Sequence, residues 1–265
     1  MRFGDILVCI DGSKTGRERT KLGLALAARS HARVVGYYLA PNQDRRAGEF
    51  LDLQEAQNIN EAEADFARQL TVNSLDGTWI VGSASRRVED IAKYSRCVDL
   101  VVAGLGVPDD PASDPQGLDI EQLVIECGCP VLGIPIANIP TQIGQKIMVA
   151  WDGSRESARA LHDAVPFLRE AATIKIVSIK SDPNSVISSS AVVAHLKRLG
   201  IAATVDTTTD LRLPIEDEIF SRVDWEGVDL LVAGAFGHSR VLEHVFGGVS
   251  RTLLHQMMVP VLVSH

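Results

Sequence analysis

Short apolar runs alternate with longer segments of helical spacing along the whole chain. Runs such as Leu100–Ala103 and Leu230–Ala233 are continuously apolar, which is typical of parallel strands covered on both faces. The segments between them repeat apolar residues three and four positions apart, which predicts helices. Strands that alternate with helices imply right-handed βαβ crossovers, so the pattern predicts an α/β fold built on doubly wound parallel sheets.

The pattern predicts elements throughout the chain. The predicted strands lie at about 5–10, 32–39, 78–82, 99–104, 130–134, 145–151, 173–179, 202–207, 229–234 and 260–264. The predicted helices lie at about 13–30, 50–72, 86–95, 117–127, 154–170, 184–199, 213–224 and 246–257.

The chain is also an internal duplication, because three segments of the first half return in the second. Ile6–Ser13 recurs as Ile147–Ser154, Asp99–Gly104 as Asp229–Gly234, and Cys129–Leu132 as Val259–Leu262. Each half is large enough for its own core. We therefore predict two domains, residues 1–138 and 143–265, joined by a short polar segment that contains Pro140.

Composition excludes several classes of function. The net charge of −8 gives no support to nucleic-acid binding through a basic face. The chain has neither an apolar run near the roughly 20 residues that span a bilayer nor a signal-peptide pattern at its start. Its four cysteines form no disulfide framework, and Cys127–Cys129 lacks the second pair of a structural zinc site. We expect a cytoplasmic protein without membrane or metal sites.

A glycine-spaced loop follows the predicted strand at 229–234. It reads Gly234, two residues, Gly237, nine residues, then Gly247-Gly248-Val249-Ser250, and a predicted helix follows. Glycine lets the backbone approach a ligand closely, and the free N–H groups at a helix start point at an anion. The loop therefore predicts a site for a phosphate chain.

With these features the chain resembles a tandem universal stress protein. The resemblance rests on the strand that ends in Asp-Gly-Ser, the glycine spacing after the fourth strand, and the final Pro-Val-Leu strand, and each of these occurs in the second half. It implies five-stranded parallel sheets of order 3-2-1-4-5, with ATP across the carboxyl ends of strands one and four. It also implies that the last strand pairs with its counterpart in a partner domain. We expect that partner to be the other half of this chain, and a homodimer stays open as well.

The resemblance implies a set of binding residues in the second half. Asp152 would contact the adenosine portion and Ile179 the adenine, and the other members would line the phosphate chain: Gly234, Gly237, Gly247, Gly248, Val249 and Ser250. The family usually has Ser or Thr where this chain has Gly248, so a hydroxyl donor is missing, and Ser250 is the candidate to replace it.

The first half looks like a degenerate copy of this site. Val107 replaces the second glycine, and Asp109, Asp110 and Asp114 lie before the third, Gly117. At an effective dielectric of ~20, each close pair of like charges costs roughly a few kcal/mol, so these carboxylates would repel a triphosphate. We predict one nucleotide site per chain, in the second half.

The chain has no phosphate-loop lysine motif, no dinucleotide fingerprint and no nucleophile elbow. No catalytic residue is assigned. The resemblance implies an ATP-binding regulatory stress-response protein, and the absence of these motifs favours one with little or no turnover. Two alternatives stay open: an interaction or adaptor protein that has lost nucleotide binding, and a slow ATPase that uses ATP with magnesium.

Overall fold

The structure is a computed structural model. It describes residues 3–40, 53–83, 85–106, 118–137, 139–179, 189–208, 213–237 and 248–265. The chain divides into two compact units, residues 2–139 and 140–265. None of the helices in these residues combines the length and the apolar character that a membrane span needs.

The first unit is a parallel sheet covered by helices. Its strands are β1 (Asp5–Ile10), β2 (Arg33–Tyr38), β3 (Gly77–Val81), β4 (Leu100–Gly104) and β5 (Val131–Ile134), and its helices are α1 (Lys14–Ser30), α2 (Leu53–Asn73), α3 (Arg87–Tyr94) and α4 (Ile120–Glu126). A 3₁₀ turn, Ser95–Cys97, follows α3. The strands pair in the order β3-β2-β1-β4-β5, all parallel.

The second unit repeats this arrangement. Its strands are β6 (Lys146–Ala150), β7 (Thr173–Ile179), β8 (Thr204–Thr208), β9 (Leu230–Gly234) and β10 (Val261–Ser264), and its helices are α5 (Arg155–Asp163), α6 (Val165–Leu168), α7 (Ser189–Arg198), α8 (Ile215–Glu226) and α9 (Val249–Gln256). The parallel order is β8-β7-β6-β9-β10. The predicted fold class and the strand order 3-2-1-4-5 are confirmed. The predicted pairing between the halves, and the homodimer, stay predictions.

The single helix predicted over 154–170 is wrong, because the structure has two helices there. Helix α5 ends at Asp163 and α6 begins at Val165. Pro166 has no N–H to give to the carbonyl four residues earlier. The chain turns at Ala164, whose carbonyl accepts from the N–H groups of Phe167 and Leu168 at 2.9 Å each.

The two Asp-Gly-Ser turns build the same local structure. In each, the aspartate accepts the serine N–H, at 2.8 Å for Asp11 and 2.9 Å for Asp152. The serine side chain then caps the following helix, since Ser13 Oγ accepts from the Gly16 N–H and Ser154 Oγ from the Ser157 N–H. The repeated motif therefore ends a strand and starts a helix in both units.

A second repeated aspartate fastens the start of each sheet. Asp229 precedes β9, and its carboxylate accepts from the N–H groups of Gly144, Gln145 and Lys146 at 2.9–3.0 Å. Asp99 does the same before β4, with Gly4 and Asp5 as donors. These bonds hold the incoming chain against the fourth strand and fix the register of the central strands.

Replacing Asp229 by alanine should lower the stability of the second unit. Hydrogen bonds to a charged group contribute roughly 1.5–3 kcal/mol, so we expect a loss of about 2 kcal/mol. Hydrogen exchange of the β6 and β9 amides measures it. Asp224→Ala, on the exposed face of α8, is the control and should change little. Equal protection in both variants would contradict this role.

Candidate functional site

The two parts of the predicted site, the Asp152 turn and the Gly234 loop, leave the second sheet next to each other. Strand β6 lies between β7 and β9, and Ala150 near its end pairs with Val177 on one side and Ala233 on the other. The Asp152 turn and the loop that begins at Gly234 therefore emerge from the same edge. In a sheet of this topology, that is the switch point where ligands bind.

Asp152 is exposed at this edge. Its Oδ1 accepts from the Ser154 N–H at 2.9 Å and from the Ser154 hydroxyl at 2.6 Å. Gly153 has a φ of +82°, a value that glycine adopts without strain. Trp151 just before it is buried, and its indole N–H has no hydrogen-bond partner in the described part of the chain.

The first two loop glycines are required by the close approach of helix α5. A Cβ on Gly234 would overlap the backbone of Glu156 and Ser157. A Cβ on Gly237 would lie 2.6 Å from Glu156 Oε2. Gly234 thus lets the helix start pack against the end of β9, and Gly237 makes room for a carboxylate.

That carboxylate, Glu156, is a member of the site that the sequence analysis missed. Only 6% of Glu156 is exposed, and its Oε1 accepts from Arg155, whose two guanidinium nitrogens lie at 2.8 and 3.0 Å. Its Oε2 faces Gly237. Its place in the first turn of α5 is a sequence signal, since acids favour helix starts, but its burial under the loop depends on β6 and β9 being neighbours.

The start of helix α9 is tied to the loop. Gly248 occupies the N-cap position without a side-chain cap, and Val249 begins the helix. Ser250 Oγ accepts from the Phe236 N–H at 3.1 Å, and Phe236 has a φ of +58°. The hydroxyl predicted to serve phosphate therefore already has one role, as an acceptor that holds the loop.

Two predicted members are described in part or not at all. Gly247 lies outside the described residues. Ile179 ends β7, next to β6, but its side chain is not among those described. The structure thus brings the Asp152 turn to the same edge as Gly234, and Phe236, beside Gly237, to the start of α9.

The corresponding place in the first unit is filled by the protein's own side chain. Asp11 is 2% exposed and forms an ion pair with Arg19, itself 6% exposed. The guanidinium lies against Gly104, where a Cβ would be 2.9 Å from Arg19 Cζ. By alignment of the two Asp-Gly-Ser turns, Ala160 stands in the second unit where Arg19 stands in the first.

A small acidic cavity remains beside Asp11. Its volume is about 100 Å³, and its lining includes Asp11, Glu61 and Asp65 together with Arg17. It is too small for a nucleotide, given that ligand pockets usually measure roughly 300–1,000 Å³. The acidic loop predicted to repel phosphate, residues 107–117, lies outside the described residues.

Residues 189–265 match the model of the universal stress protein family. The family match therefore lies in the second unit, over its last three strands. The resemblance drawn from the glycine spacing is thereby confirmed. In this unit the matched segment contains both the loop from Gly234 and helix α9.

Solved structures extend the likeness in fold to the whole chain. A universal stress protein from Archaeoglobus fulgidus DSM 4304 is 15% identical, with 98% of this chain and 95% of that one covered and a TM-score of 0.76. A functionally unknown protein from Pseudomonas aeruginosa PAO1 is 16% identical, with 99% and 92% covered and a TM-score of 0.64.

The same fold also occurs in another setting. The cytoplasmic domain of a prokaryotic cation chloride cotransporter is 9% identical, with 100% of this chain and 96% of that one covered and a TM-score of 0.54. No curated protein matches the sequence. The fold alone therefore does not decide the function, which has to be argued from the site.

Proposed function

We propose that the second unit binds an adenine nucleotide, ATP, and that the chain is a cytoplasmic regulatory protein of stress response with little or no turnover. One observation carries the proposal: the Asp152 turn and the Gly234 loop leave the sheet at its switch point, and Ser250 ties that loop to the uncapped start of α9. A nucleotide across this edge would have Asp152 at one end and backbone N–H groups at the other.

The start of α9 suits the phosphate chain. Gly248 at the N-cap makes no side-chain hydrogen bond to the helix, and a helix start favours an anion through its N–H groups and its dipole. The Ser250 hydroxyl accepts from Phe236 and can still donate its own proton. Ser250 would then replace the hydroxyl that Gly248 lacks.

Glu156 makes a divalent cation part of the proposal. Its buried carboxylate beside Gly237 would repel a bare triphosphate. Carboxylate oxygens from Glu156 and Asp152 are the hard ligands that Mg²⁺ prefers, so these residues fit ATP with magnesium. Bound there, the cation would neutralise charge between the protein carboxylates and the phosphates.

The first unit is proposed to bind no nucleotide. Arg19 pairs with Asp11 and lies against Gly104, so both the acid and the space at the end of β4 are already taken. The first unit would act as scaffold or as a partner surface. Occupancy of the second unit would then regulate by favouring one state of the protein over another.

Calorimetry with ATP and magnesium tests the site. We expect one ATP per chain, and an affinity about 10-fold lower in Asp152→Asn, which keeps the Oδ1 that holds the turn but loses the charge. Asp224→Asn, on the exposed face of α8, is the control and should bind as the native chain does. Equal affinity in the two variants would reject Asp152 as a ligand residue.

Glu156 also motivates a second candidate, a protein of this fold that binds partners without nucleotide. Its buried carboxylate lies where the loop would receive phosphate. The two candidates differ in what leaves the freshly purified protein on denaturation. Mass spectrometry should detect an adenine nucleotide if the first candidate is right.

Slow ATP hydrolysis has a test of its own. Phosphate release that depends on magnesium and is abolished by Asp152→Ala would support it.

A further inference from the structure

A cavity in the first unit lies at the ends of β2 and β3, against helix α3. Its volume is about 200 Å³, and its lining includes Tyr37, Val81, Gly82, Asp90 and Tyr94. It is separate from the cavity beside Asp11, with which it shares no lining residue. Neither the nucleotide proposal nor the sequence analysis uses any of these residues.

Tyr37 lines this cavity and carries an unsatisfied hydroxyl. The residue is fully buried, and its hydroxyl has no hydrogen-bond partner among the residues that the structure describes. A Cβ on Gly82 would overlap this hydroxyl, so glycine is what leaves it room. A buried polar group without a partner is costly, and such a group that lines a cavity indicates a ligand contact.

Asp90 supplies a second polar group. Asp90 and Tyr37 line the same cavity; burial raises the pKa of Tyr37, and the Asp90 carboxylate raises it further. Asp90 Oδ1 lies 3.4 Å from Lys93 Nζ, which balances its charge. A ligand able to accept from Tyr37 and donate to Asp90 would satisfy both and needs no charge of its own.

Lys93 also lines the cavity, beside two large side chains that are open to solvent. Val81 is 47% exposed and Tyr94 is 42% exposed, which is high for large hydrophobic side chains. The rings of Tyr37 and Tyr94 lie 6.1 Å apart at 59°. A flat ring inserted here would cover Val81 and pack against Tyr94, in the geometry that aromatic side chains favour.

We propose that this cavity is a binding site for a small, neutral heteroaromatic amine. The ring lies against Tyr94 and Val81, a ring nitrogen accepts from the Tyr37 hydroxyl, and the amino group donates to Asp90. The site is independent of the proposed nucleotide site, which lies in the second unit.

A titration with 2-aminopyrimidine, followed by NMR, tests this proposal in the full chain. We expect shifts of the Gly82 and Tyr94 amides, and binding at least about 10-fold weaker in Tyr37→Phe and in Asp90→Asn. Tyr38→Phe is the matched control, because its hydroxyl bonds to Glu55 at 3.3 Å and it does not line the cavity; it should bind normally. Pyrimidine without the amino group should bind more weakly.

The variants also give a readout that does not depend on binding. Tyr37→Phe removes a hydroxyl without a described partner, so its Tm should stay level or rise, whereas Tyr38→Phe should lower the Tm. Unchanged binding in Tyr37→Phe, absence of shifts at the cavity in the native chain, or a lower Tm in Tyr37→Phe would each overturn the proposal.

Discussion

ATP affinity is expected to fall about 100-fold when Gly237 is replaced by aspartate, a change of about 2.7 kcal/mol. The new side chain would begin 2.6 Å from Glu156 Oε2, so two carboxylates would face the phosphate chain in place of one. At an effective dielectric of ~20, one such repulsion at close range is worth roughly 4 kcal/mol. Calorimetry with ATP and magnesium measures the loss.

Two further variants separate charge from crowding. Gly237→Ala adds the same Cβ without the charge, and Glu156 Oε2, the end of a flexible side chain, can move aside, so the loss should be only a few-fold. Val107→Asp makes the matched change at the aligned position of the first half and should leave the affinity unchanged. A loss in Val107→Asp as large as in Gly237→Asp would contradict a site in the second unit.

Replacing Arg19 by methionine is expected to destabilise the first unit by about 3–5 kcal/mol. Removal of one partner of a buried ion pair leaves an uncompensated charge, and Asp11 is 2% exposed. Hydrogen exchange of the β1 and β4 amides reports this unit alone, which matters because a chain of two units need not unfold in one step.

The controls for Arg19 test the reason for the effect. Asp11→Asn combined with Arg19→Met keeps an oxygen for the Ser13 N–H but removes the stranded charge, so most of the protection should return. Lys21→Met breaks a pair whose side chains are about half exposed, and it should cost under about 1 kcal/mol. If Arg19→Met were as mild as Lys21→Met, the buried pair would not hold this site closed.

The sequence pattern predicts the helices and strands because each of them depends on residues that are close together in the sequence. Continuous apolar runs predicted the buried strands β4 and β9, and the two Asp-Gly-Ser motifs predicted turns that the structure builds with matching hydrogen bonds. The break between α5 and α6 at Ala164 also has a local cause, because Pro166 can be read from the sequence. The prediction missed this break because it gave more weight to the long helical pattern over 154–170.

The side chains that occupy the two corresponding sites, Arg19 in the first unit and Glu156 in the second, could not be predicted in the same way. Arg19 lies on the buried stripe of α1, with Gly16, Thr20 and Gly23, and a cation there signals a buried acid. Which acid it meets, and that it lies against Gly104, depends on the packing of α1 on β4. The position of Glu156 beneath Gly237 likewise joins residues 81 positions apart (237 − 156). Spacing in sequence does not report such contacts.

We propose one adenine-nucleotide site per chain, in the second unit. A crystal structure of the full chain grown with ATP and magnesium tests it most directly. We expect density for one nucleotide, between the Asp152 turn and the start of α9, with the Asp11–Arg19 pair intact in the first unit. A nucleotide bound beside Asp11 and Gly104, with the second unit empty, would contradict it.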